Sequence, residues 1–177
     1  MTAPSIAPSA AGARQDPEVS LKLLKKRFLA RLTALGIPEW ELIVAPMRKP
    51  RKGVVGYYSH MSQFRSRPRI VVDVATIQAR YTSRSMVEEE VLLTISHEYG
   101  HIMAEAIEHV SRVQGESERF TVPDWKLEFD GDEEEFAEDF ARYCVTYDAH
   151  HEAFWDRFVP VYGADAKRIF FVPETTA

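Results

Sequence analysis

The chain has 177 residues, 45% of them hydrophobic and 11% aromatic, which is enough to bury one domain-sized core without a disulfide or structural-metal framework. A net charge of -5, from 22 basic against 27 acidic residues, excludes a protein that coats nucleic acid over its whole surface. Cys144 is the single cysteine, so an intrachain disulfide, a Cys-rich zinc finger and a CxxC redox site are excluded, while six histidines leave other metal chemistry open.

Residues 1–17, rich in Ala, Pro and Ser, have too little apolar surface to offset their ordering entropy and read as a flexible tail. They lack the basic and apolar regions of a secretory signal, so a cytoplasmic location is expected, with a leaderless export signal as the alternative. No window approaches the roughly 20 apolar residues of a membrane span, and no membrane partner is expected. Residues 18–177 read as a single domain, with no internal repeat and nothing that fixes an oligomeric state.

In chain order, Leu21, Leu24, Phe28, Leu32 and Leu35 recur at helical spacing and Gly36 stops them. Short β-branched and aromatic runs follow: ELIVAP around Ile43, VVGYYSH from Val54, and RIVVDVATI from Arg69. They predict three strands of a small, mainly antiparallel sheet. A long helix opens at Ser85, with Glu88, Glu89 and Glu90 expected in its first turn and a buried face of Val91, Leu92, Ile95, Tyr99, Ile102, Met103 and Ala106. After Arg112 the period is lost, with Pro123 and Gly131 marking a loop. A second buried helix is expected over about 132–147 and a third over 149–159. The fold class is therefore α+β, layered on one core.

The long helix contains His97-Glu98-Tyr99-Gly100-His101. Four residues advance a helix by about 400°, so both histidines emerge on one face, one turn apart, and can share a zinc ion. Glu98 is rotated about 100° from His97, which suits a general base acting on a metal-activated water. A catalytic zinc needs a third protein ligand. A third histidine at HExxHxxGxxH spacing would fall on Ile107, and His109 lies about 120° round the helix from His97. The remaining source is the acidic run 131–143. If Ala137, Phe140, Ala141 and Cys144 form its buried stripe, Glu134 and Glu138 share one shoulder while Glu135 and Asp139 point away. Glu134 is thus the expected ligand. Glu138 is the expected hydrogen-bond partner of a zinc histidine, Ala137 and Ala141 allow close helix packing, and Glu133, Glu135 and Asp139 are expected to be solvated.

HEYGH followed by Glu134-Glu135-Phe136-Ala137-Glu138-Asp139-Phe140-Ala141 resembles the zincin metallopeptidases of the glutamate-ligand type. It is similar to the second motif of the anthrax lethal factor catalytic domain and the proline-proline endopeptidases, and to that of the phage-repressor-cleaving metallopeptidases. The resemblance is specific over about 97–141 and architectural over about 18–96. It implies a minimal zincin fold, one zinc per chain, Glu134 as a ligand and Glu138 as a support for a zinc histidine. The lethal-factor group carries an oxyanion-stabilising tyrosine seven residues before the ligand glutamate, where this chain has Leu127. Such a donor must come instead from Tyr143, Tyr147, a strand tyrosine or His109.

Residues 48–69 hold Arg48, Lys49, Arg51, Lys52, Arg65, Arg67 and Arg69 and no acid, a charge of +7 that leaves -12 for the remainder. Such a segment contacts nucleic acid phosphates, steers an acidic protein substrate, or is merely solvated. The expected function is a zinc-dependent endopeptidase acting on a protein or peptide laid antiparallel along a sheet edge, with the 69–76 strand as the candidate edge. The alternative is a catalytically weak binding protein of the same fold, using the basic segment to hold nucleic acid or a protein partner.

Overall fold

A computed structural model of the chain describes residues 18–37, 39–59, 68–114 and 131–146, with side chains omitted for 107–114 and 146. The helix expected over 149–159 and the proposed tail lie outside these residues. Helix α1 spans Leu21–Ala34, capped by the Ser20 hydroxyl, which accepts from the Leu23 amide, and it buries Leu24, Phe28 and Leu32. Strands β1 (Ile43–Pro46), β2 (Gly56–Ser59) and β3 (Arg69–Val72) follow, then helices α2 (Val74–Arg80), α3 (Arg84–Gln114) and α4 (Glu133–Thr146).

The sheet differs from the expected antiparallel arrangement. Its order is β1-β3-β2, with β1 parallel and β2 antiparallel to β3, so the sheet is mixed. Ile70, Val71 and Val72 are buried at 0%, 4% and 0% exposure, as a strand covered on both faces requires, and this places β3 in the centre. Both of its edges are paired, so it cannot receive a peptide; β2 lies at the edge.

Two further differences have local causes. The apolar run from Arg69 stops being a strand at Asp73, whose carboxylate accepts from the Thr76 amide (3.1 Å) and hydroxyl (2.7 Å) and so caps α2. Helix α3 starts at Arg84, one residue earlier than expected, and its first turn holds no acid; Glu88, Glu89 and Glu90 follow that turn. Glu88 is held there by Arg84 at 2.9 Å and Arg27 of α1 at 3.1 Å.

The core gathers on α3. Tyr99, inside the HEYGH motif, is fully buried, with Phe28 edge-on (centroids 5.3 Å apart) and the rings of Trp40 and Phe140 stacked at 5.2 and 5.7 Å. This aromatic cluster fixes the rotation of α3, so the flanking histidines face the opposite way. Helix α4 closes on α3 where both residues are small. A Cβ added at Gly100 would stand 2.8 Å from the Ala137 Cα and 3.1 Å from its carbonyl oxygen. Gly100→Ala is therefore expected to overpack this contact, costing about 1–3 kcal/mol and moving α4 away from α3. Denaturant unfolding checks it, and stability should fall.

Candidate metal centre

The helices bring three predicted residues together above a cleft of about 900 Å³. His97 Nε2 lies 3.3 Å from His101 Nε2 and 3.3 Å from one Glu134 carboxylate oxygen, and His101 Nε2 lies 3.5 Å from the other. A tetrahedral zinc with donors about 2.0–2.2 Å away separates those donors by roughly 3.3–3.6 Å. The two imidazoles and the carboxylate match that spacing and chemistry, so His97, His101 and Glu134 are close enough to hold a metal ion. Burial, reinforced by the neighbouring His101, holds His97 below its ordinary pKa and favours the neutral imidazole that a metal requires.

Helix α4 runs back along α3: Glu133 meets His101, whereas Glu138 acts electrostatically on His97, one turn earlier. This corrects the expected supporting carboxylate. His101 Nδ1 lies 2.7 Å from Glu133, which the sequence reading left in solvent, while the Glu138 carboxylate accepts from Arg142 at 3.2 Å and lines the cleft. Glu133 thus orients His101 with its Nε2 towards Glu134. Glu133→Ala should weaken zinc binding about 10- to 100-fold. Competition with a chromophoric chelator checks this, with Glu138→Ala as the milder comparison.

Glu98 is 8% exposed at the cleft wall. Burial pushes its carboxyl up to about 7, partly offset by His101 and by the Tyr58 backbone N–H donating to it. Strand β2 approaches it through Gly56. A Cβ there would overlap the Thr94 methyl and stand 3.0 Å from a Glu98 oxygen. Gly56→Ala is expected to displace Glu98 while leaving metal affinity unchanged, since neither histidine nor Glu134 is touched; metal titration beside a structure of the variant checks it.

Of the oxyanion candidates, Tyr143 is 3% exposed in the hydrophobic core and does not line the cleft, which removes it. Tyr147 and the His109 side chain lie outside the described residues. A strand tyrosine does line the cleft: Tyr58 stacks on His101 (5.7 Å, 13° between planes) and its hydroxyl donates to Glu105 at 3.3 Å. Burial and that carboxylate hold its pKa above the ordinary tyrosine value, so the hydroxyl keeps its proton. Its signal in the sequence was only the two-residue alternation with Gly56, which puts both on one strand face.

Among the described residues, no helix is long and apolar enough to cross a membrane. Comparison with protein-family models, curated proteins and solved structures finds no match to this chain.

Proposed function

We propose that this chain is a zinc-dependent endopeptidase of the zincin type. The observation that carries the reading is the convergence of His97, His101 and Glu134 from two helices at tetrahedral donor spacing, beside a buried carboxylate, Glu98. Zinc bound there supplies a Lewis acid for the peptide carbonyl and lowers the pKa of water to about 7. Glu98 accepts the proton of the attacking water and delivers it to the leaving nitrogen as the C–N bond breaks. The Tyr58 N–H holds Glu98 in place, and the Tyr58 ring stacks on His101.

The substrate lies antiparallel along β2. Because Val55 accepts from the Asp73 amide across the sheet (2.7 Å), the alternation of the ladder turns the Gly56 amide and carbonyl outward, where a peptide pairs with them.

Purified protein is expected to hold one zinc per chain and to cleave peptides. Zinc far below one per chain, together with metal content and stability unaffected by His97→Ala, overturns the reading. Zinc at full occupancy without hydrolysis supports the binding-protein alternative instead.

A further inference from the structure

Four of the seven cations of the basic segment occupy one exposed turn before β2: Arg48, Lys49, Arg51 and Lys52. The turn is closed by the Val54 amide donating to the Arg51 carbonyl (3.1 Å) and by Gly53 at φ +80°. Arg51 and Gly53 line the same cleft as the histidines. The Arg51 guanidinium carbon lies over the Tyr57 ring, 4.6 Å from its centroid. None of the four cations pairs with a carboxylate among the described residues.

The direction of β2 says which part of a peptide meets this turn. Gly56 packs at Thr94 and Glu98, and Tyr58 at His101, so β2 runs in the same sense as α3. A peptide antiparallel to β2 therefore passes from Tyr58 to Gly56 and on towards Arg51, and its residues beyond the scissile bond arrive at the turn. We propose that the turn 48–53 binds acidic side chains on the C-terminal side of the cleaved bond, making the substrate class an acidic-flanked peptide segment. This rests on the peptidase reading. A nucleic acid fits less well: past the turn the cleft is lined by Glu98, Glu133, Glu134 and Glu138, against one cation, Arg142, already paired with Glu138, and this acidic stretch repels a uniform polyanion, whereas a peptide confines its acids to the basic end.

The test is a cleavage profile of the zinc-loaded protein on a peptide library from a digested cell proteome. Asp and Glu should be enriched several-fold at roughly two to five residues past the cut, each extended residue spanning about 3.3 Å. The enrichment should shrink in high salt for the parent protein itself. It should reverse towards Lys and Arg when Arg48, Lys49, Arg51 and Lys52 are all changed to Glu. Cleavage with no such enrichment, with enrichment on the N-terminal side, or with enrichment unchanged by charge reversal overturns the inference and leaves the peptidase reading intact. Zinc-loaded protein that cuts nothing overturns both. Tighter binding of labelled oligothymidylate than of a Glu-rich peptide of equal length by the Glu98→Gln variant also overturns the inference.

Discussion

Replacing Glu134 by alanine is expected to abolish stoichiometric zinc binding and peptide hydrolysis together, whereas Glu135→Ala, one position along, should leave both near the parent level. Glu134 contributes the only carboxylate among the described residues that stands within 3.5 Å of both histidine Nε2 atoms. Without it, two imidazoles remain, fewer than the three protein ligands of a catalytic zinc site. Glu135 is exposed, lies outside the cleft, and contributes its backbone amide to the Asp132 cap at 3.1 Å, a bond that alanine retains. Fold should survive in both variants, because Phe136, Ala137, Phe140 and Cys144 on the opposite face of α4 hold it in the core. Metal analysis after dialysis, read beside circular dichroism, separates lost ligation from lost structure. Two variants with equal zinc content would refute the ligand assignment.

The contrast between those neighbours also shows what could be read from sequence. The rotational phase of α4 was legible because its apolar residues leave one solution: with Ala137, Phe140 and Cys144 inward, Glu134 must lie on the shoulder and Glu135 outside. The phase of α3 was legible for the same reason, through Ile95, Tyr99 and Ile102. A helical wheel does not give translation, however. How far α4 slides along α3 is set by the Gly100–Ala137 contact between helices separated in sequence, and it places Glu133 rather than Glu138 at His101. Strand order was hidden for a related reason, because the choice of β3 as the central strand is made by burial on both faces. Asp73 was the local signal overlooked. Within RIVVDVATI the β-branched residues suit a strand, and only the capping carboxylate reveals that the second half is helical.

Glu98→Gln is expected to lower turnover by roughly 10² to 10⁴ while leaving zinc at one per chain and KM little changed. Glutamine keeps the volume of the side chain and can still accept the Tyr58 N–H through its amide oxygen, so β2 stays seated against α3. It cannot take a proton from water near neutral pH, and this isolates the base from the ligand set. Burial disfavours the charged form of Glu98, so the glutamine variant should unfold at the same temperature as the parent or higher, the pattern expected where a side chain is kept for chemistry at the expense of stability. Measuring kcat, KM, zinc content and the thermal midpoint on one preparation gives each outcome a distinct meaning. Lost turnover with retained zinc and stability supports Glu98 as the proton acceptor. Turnover equal to the parent's removes Glu98 from the mechanism, and the buried carboxylate at the cleft wall then has no role in hydrolysis.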